Sequence, residues 1–197
     1  MIIDYKGHRI FIFSDTHGCH QKLSIPENIE ILICAGDVTN GFSGSEMEHF
    51  FKWYASIPAD LRIFVPGNHE IIFDLFPQRA KLTLPDNVVL LENTGISYKG
   101  ITFYSVAARS WLHSETEIPA NIDFLITHGP PEGILDEHRG CPLLRETVFK
   151  SKPVYHVFGH IHSLGGKREV INNIRFYNVS YWNKLQTINH DTYEING

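Results

Sequence analysis

Eight side chains in this sequence have the types and spacing of a metal-dependent acid–base site. They are Asp15, His17, Asp37, Asn68, His69, His128, His160 and His162. All are carboxylate, carboxamide or imidazole donors, with no thiolate among them. Such a set suits Mn, Fe or Zn better than a soft-metal site, and Mg or Ca does not usually take so many imidazoles. The set is also too large for one ion and adequate for two, with the two oxygens of Asp37 able to bridge them. Two ions roughly 3.5–4 Å apart form a clamp suited to in-line displacement at phosphorus. Taken singly, each block has a plainer reading. Asp15 could cap a turn beside an incidental His17, Gly36-Asp37 could be an ordinary turn, and Gly67-Asn68 could be a turn before a solvated His69.

What lifts the set above those readings is the element in front of each block. Arg9–Phe13, Ile31–Ala35, Arg62–Val65 (stopped by Pro66), Phe124–Thr127 and Val154–Phe158 are short apolar runs that read as buried strands. Strand ends are where open α/β sheets gather ligands. An extended backbone through Asp15-Thr16-His17 would send both side chains to one side, since side chains alternate with period two. Pro130-Pro131 cannot continue a ladder and holds His128 at a strand tip. Between the strands, Met47, Phe50, Phe51 and Tyr54 recur at helical spacing from Ser43 to Ser56, with Ser43 or Ser45 as cap and Pro58 beyond. Leu144 and Val148 mark a second helix over Cys141–Ser151.

Val88–Leu91, Ile96–Tyr98 and Ile101–Val106 read as an antiparallel portion, with turns at Asn93-Thr94-Gly95 and Lys99-Gly100. In the tail, Glu169–Ile171 and Ile174–Asn178 flank an Asn172-Asn173 turn. His49 falls on the polar side of its helix, and His156, inside a strand, is expected to be a core histidine. Glu70 is expected to cap or pair. Arg109, on the loop after a strand, is expected at the surface, with contact to substrate as the lesser reading.

The whole chain is 197 residues, 43% hydrophobic and 20% charged, which leads to one domain over 1–197. A net charge of −5 argues against a general nucleic-acid or membrane-surface binder. It leaves room for a small phosphorylated substrate, because a bound cation reverses the local sign. Cys19, Cys34 and Cys141 lack knuckle or CxxC spacing, so they read as free thiols in a reducing cytosol. No apolar run approaches ~18 residues, and the Met1–Lys6 start is too polar for a signal peptide. A cytoplasmic location is the expectation.

The five blocks together, in this order and over nearly the whole chain, resemble the calcineurin-like metallophosphoesterases. A closer resemblance, to the subgroup of metallophosphoesterase domain-containing proteins, rests on three stretches. They are His128-Gly129-Pro130-Pro131, Arg139-Gly140-Cys141, and His156-Val157-Phe158-Gly159 running into His160-Ile161-His162. The resemblance implies an α/β fold, a four-layer αββα sandwich of two mixed sheets flanked by helices. It implies one ion on Asp15, His17 and His162, another on Asn68, His128 and His160, and Asp37 shared between them, with Mn²⁺ foremost and Fe or Zn as alternatives. Hydroxide between the ions would attack phosphorus, with Asn68 aiding charge on the phosphoryl oxygens. His69 would bind no metal and would protonate the leaving oxygen, with Asp15 helping to orient it.

Protein serine/threonine phosphatases of this superfamily carry an arginine soon after the Gly-Asp block. Here the run is Val38-Thr39-Asn40-Gly41. A phosphodiesterase for small diesters such as 2′,3′-cyclic nucleotides is therefore expected. The alternatives are a phosphomonoesterase or protein phosphatase of the same fold, and a metal-free interaction scaffold. The scaffold would be expected to have lost ligands that all stand here.

Overall fold

The computed structural model describes residues 1–41 and 43–183. Among them, β1 (Ile2–Tyr5), β2 (His8–Phe13), β3 (Ile31–Cys34), β4 (Leu61–Phe64) and β5 (Val89–Leu90) form one sheet in that spatial order. Only β1 runs antiparallel to its neighbour. A second sheet holds β6 (Thr94–Tyr98), β7 (Ile101–Ser105), β8 (Phe124–Ile126), β9 (Tyr155–Phe158), β10 (Arg168–Ile171) and β11 (Ile174–Asn178), in the order β10-β11-β9-β8-β7-β6. Its central pairings are parallel, and antiparallel hairpins close both edges. Four helices accompany the sheets: α1 (Gly44–Ser56), α2 (Ile72–Leu75), α3 (Pro77–Lys81) and α4 (Pro142–Ser151).

Side-chain alternation along the strands sorts the apolar residues into layers. Ile10, Ile12, Ile31, Ile33 and Ile63 of the first sheet pack against Phe103, Phe124, Ile126 and Val157 of the second. The opposite faces carry Phe11, Phe13, Leu32, Cys34 and Phe64 under Phe50, Phe51 and Tyr54 of α1, and Leu125, Phe158 and Phe176 under Leu144 and Val148 of α4. The result is the expected helix–sheet–sheet–helix order. Each face has a distinct partner because the strands are buried on both sides. Ser43 caps α1 by accepting from Glu46 N at 3.2 Å, and Cys141 caps α4 through its thiol, which accepts from Leu144 N.

The sequence reading differs from the structure at four places. Val88–Leu91, expected in an antiparallel portion with Ile96–Tyr98 and Ile101–Val106, instead supplies β5, which joins the first sheet parallel to β4. β1 was not expected, nor were the short α2 and α3. The turn expected at Asn93–Gly95 is confined to Asn93, because Thr94 and Gly95 already pair with Ser105 and Tyr104. The tail hairpin forms as β10 and β11, while residues 184–197, included in the expected 1–197 domain, lie outside the described residues. No helix among the described residues is long and apolar enough to cross a membrane.

Parallel register is what assembles the strand ends. Phe13, Cys34 and Phe64 are aligned across β2, β3 and β4, and Ile126 and Val157 across β8 and β9. Neighbouring parallel strands therefore deliver the residues that follow them to one edge of each sheet. The two sheets are tied together at that edge, where Ser14 N donates to Val179 O at 3.1 Å and Tyr181 N to Ser14 O at 3.0 Å.

Candidate metal centre

The backbone leaves the strands by sharp left-handed steps. Asp15 (φ 57°), His17 (φ 41°), Asp37 (φ 54°) and His160 (φ 64°) all have positive φ, a region that residues other than glycine seldom enter. The extended Asp15–His17 segment expected from the sequence is therefore not what forms. Cross-links between loops hold these conformations: Asp15 N donates to Gly36 O at 2.9 Å and His17 N to Asp37 O at 3.1 Å. Strain of this kind persists where the surroundings over-determine it, and it gathers at functional sites. The loops approach so closely that a Cβ at Gly159 would overlap Ser14 Oγ and Asp15 Oδ2, and one at Gly67 would overlap Asp37 Oδ1.

Glu70 is the internal tie expected of it. Its buried carboxylate accepts from Asp37 N (2.8 Å), Val38 N (2.9 Å), Thr39 N (3.2 Å) and Gly67 N (2.9 Å), locking the loop after β3 to the loop after β4. Burial and the neighbouring Asp37 charge push its carboxyl up, and the backbone amides oppose that shift.

Seven of the eight singled-out side chains converge in overlapping clusters whose ligand atoms lie within 4.8 Å of one another. These are Asp15–His17–His162, His17–Asp37–His69 and Asp37–His128–His160. In the first, His162 Nε2 stands 3.1 Å from Asp15 Oδ1 and 3.2 Å from His17 Nε2. In the last, His128 Nε2 is 3.1 Å from Asp37 Oδ2. Asp37 Oδ2 is also 3.9 Å from both His17 Nε2 and His69 Nε2. Two tautomers follow from the outer contacts. His128 Nδ1 donates to Ala35 O (2.7 Å) and His17 Nδ1 to Thr39 O (3.1 Å), so each ring turns an unprotonated Nε2 inward when neutral.

The Asn68 side chain meets the loop after β7, with Oδ1 accepting from Ser110 Oγ at 3.5 Å. The carboxylate within reach of His69 is Asp37, which also accepts His69 N through Oδ1 at 2.9 Å. Asp15, expected to help orient His69, is engaged instead with His162, Ser14 and His160 N.

Electrostatics at the edge are those of a cation-seeking site. Burial raises the carboxyls of Asp15 and Asp37, but the adjoining imidazoles outweigh it and hold both below their ordinary range. Burial lowers His17, and lowers His160 to about 4 with help from His128. Only His128 goes the other way: burial lowers it, yet the Asp37 and Asp15 charges bring it up to about 9. Its Nε2 is fully buried and has no hydrogen bond of acceptable direction, although Asp37 lies 3.1 Å away. A buried, orphaned Nε2 facing a carboxylate, within a set of imidazole and oxygen donors, fits a divalent ion as common ligand partner.

Arg109 departs from its expected surface position. It is buried, with Nε 2.9 Å from both oxygens of Asp74, NH2 paired to Glu92 and NH1 3.4 Å from Pro66 O. The partners lie 35 and 17 residues away, so no local pattern announces the pairing. Also missed was Trp182, whose ring centroid is 4.8 Å from that of His17 and 5.7 Å from that of His162. No signal near position 182 points there. His156 is a core histidine as expected, with Nε2 2.9 Å from Thr127 Oγ1, and His49 is exposed while bonding His20 Nε2 at 3.0 Å.

Residues 8–164 match the model of the calcineurin-like phosphoesterase family. The chain is 32% identical to metallophosphoesterase domain-containing protein 1 of Homo sapiens and, equally, to that of Mus musculus. In each case the alignment takes in 78% of this chain and 60% of the relative. It thus spans about three fifths of the length of the curated relatives it matches. The crystal structure of phosphopantetheinyl hydrolase from Mycobacterium tuberculosis is similar in fold, with a TM-score of 0.60 at 17% identity, covering 87% of this chain and 88% of that one. With the family model spanning all five strand-end blocks, this chain belongs to the calcineurin-like phosphoesterases.

Proposed function

We propose that this chain is a dinuclear metal-dependent phosphodiesterase acting on small diesters such as 2′,3′-cyclic nucleotides. One observation carries the reading: two carboxylate–histidine triads, Asp15–His17–His162 and Asp37–His128–His160, lie side by side at one sheet edge, with His17 also near Asp37. Asp37 would serve both sets, and Asn68 would complete the second. The donor chemistry favours Mn²⁺, with Fe or Zn as alternatives. When bound, such a pair supplies Lewis-acid charge at phosphorus and a nucleophile from water at neutral pH.

The chain's own residues supply the rest. His69, with a third of its side chain exposed, is open enough to meet a substrate, and its imidazolium protonates the departing alkoxide. Asp37 holds the His69 backbone through its Oδ1, so proton donor and metal ligands share one support. The Asn68 carboxamide donates to a phosphoryl oxygen as charge builds there. Between Asp37 and Gly41 no cation is present to neutralise the second charge of a monoester. A small phosphorylated substrate in the cytoplasm, without general nucleic-acid or membrane partners, completes the proposal.

The test compares kcat/KM for an aryl phosphodiester and the matching monoester at one metal concentration. Preference for the diester is expected. Preference for the monoester would move the chain to the phosphatases.

A further inference from the structure

His17, His128 and His162 are not held alike. His17 and His128 each have a backbone carbonyl at Nδ1, as metal-ligating histidines ordinarily require to keep ring orientation and tautomer. His162 has no hydrogen-bond partner at Nδ1 among the described residues, and its side chain is 32% exposed. What meets it instead is the segment after β11. Trp182 packs its indole at 45° to the His162 ring, and at 75° to the His17 ring, while Asn183 Nδ2 donates to His162 O at 2.9 Å. His17 in turn lies edge-on to His69, at 4.7 Å between centroids.

The indole is itself anchored. Tyr181 N donates to Ser14 O, the Tyr181 hydroxyl accepts from the Met1 amino group at 2.9 Å, and the Tyr181 ring packs on Phe11 at 6.0 Å. Trp182 therefore follows a residue fastened to Ser14, which lies between the end of β2 and Asp15. The other triad has its own support: the His128 and His160 rings pack on each other at 5.3 Å, and His128 is bonded to Ala35 O.

We infer that Trp182 is a positioning residue for one half of the centre: its indole buttresses His17 and His162 and so sets the metal affinity of the Asp15–His17–His162 triad, leaving the Asp37–His128–His160 triad unaffected. The inference rests on the two-ion reading above. Its physical basis is that an apolar plate against two imidazoles limits their rotation and the access of water, as a hydrogen bond to Nδ1 does elsewhere. Outer partners of ligating histidines are typically worth 10–100-fold in metal affinity.

The experiment titrates metal-stripped wild-type, Trp182→Phe and Trp182→Ala proteins with Mn²⁺ and with Co²⁺, by calorimetry and by the visible bands of Co²⁺. The result expected is two binding steps in wild type, one of them weakened about 10–100-fold in Trp182→Ala and the other unchanged, with most of the loss restored in Trp182→Phe. Tryptophan emission adds a second readout. Co²⁺ at the first triad should quench wild type more than Trp182→Phe, because Trp53 and Trp111 remain in both. Wild-type affinities at both steps in Trp182→Ala, or equal weakening of both, would overturn the inference while leaving the two-ion reading intact. A single step in wild type would overturn that reading itself. Should Trp182→Ala not fold, Trp182→Leu, apolar without the planar face, serves in the same comparison.

Discussion

His128 and His156 are both fully buried and come from neighbouring strands of one sheet, yet their surroundings drive them apart. At the strand-end edge, His128 faces Asp37 and Asp15, and their charges overcome burial to bring it up to about 9. On the face under α4, His156 lies against the rings of Phe158 and Phe176, and burial alone takes it down to about 3. Equal burial thus gives opposite chemistry. The edge concentrates charge that a cation must balance, whereas the outer face holds a neutral ring whose Nδ1 has no partner. Position relative to the strand decides which region a histidine joins.

The largest effect that should separate the regions comes from the shared carboxylate. Asp37→Asn keeps the shape but removes the charge to which His17, His69 and His128 all turn. Activity should fall to that of chelated protein, and metal content should drop for both ions, as read by elemental analysis. Chelated wild type should in turn be inactive and recover with Mn²⁺. Retention of full activity after stripping would remove the edge's claim to be a metal centre.

Next comes His69, which shares the edge without a ligand's role. General acid catalysis is worth about 10²–10⁴-fold, and its value depends on how badly the leaving group needs a proton. His69→Ala should lose kcat in that range on an alkyl diester and far less on a nitrophenyl ester, while keeping both ions. Loss of metal would instead make His69 a ligand, for which its place beside His17 and Asp37 is geometrically adequate.

Much of this edge was legible in the sequence because the fold writes it locally. Each apolar run is a strand, and each following block is its tip, so Asp37, His128, His160 and His162 could be placed at strand ends from order alone. His156 and His160 were told apart for the same reason: one is inside a run and one beyond it. The backbone at Asp15 and His17 was not legible, since its left-handed steps are imposed by Gly36 O and Asp37 O from another loop. Helices α2 and α3, of four and five residues, are too short for a 3.6-residue period to show. Arg109 and Trp182 were hidden because their roles depend on partners far along the chain.

Arg109 gives a third, smaller effect, on the support of the edge. It joins α2 through Asp74, Glu92, and the Pro66 carbonyl just before the Gly67–Glu70 block. Removing one member of a buried ion pair costs about 3–5 kcal/mol, and the low end applies here because Asp74 is more than half exposed. Arg109→Ala should therefore lower Tm by roughly 6–12 °C, at ~2–4 °C per kcal/mol for a chain of this size. A shift below about 1 °C would place Arg109 among ordinary surface residues after all.

The smallest effect belongs to the quiet region and shows only in acid. His156 is neutral in the fold, with its pKa lowered from the ordinary 6.5 to about 3, so between those values the unfolded chain binds the extra proton. Its neutral form is no handicap above 6.5, and stability is lost as pH falls from there toward 3, at up to about 1.4 kcal/mol per pH unit. Thr127 Oγ1 donates to Gly129 O, so the His156 Nε2–H donates to that hydroxyl, and protonation would have to place a second N–H where no acceptor stands. His156→Phe removes the titration and keeps a ring against Phe158 and Phe176. Denaturant unfolding of both proteins at pH 6.5 and pH 5, with the same metal present, cancels the edge histidines that they share. The stability difference should move by about 1.6 kcal/mol in favour of the variant over that interval. Parallel pH dependence of the two proteins would mean that His156 is protonated in the fold, and the contrast between the two regions would then rest on the edge alone.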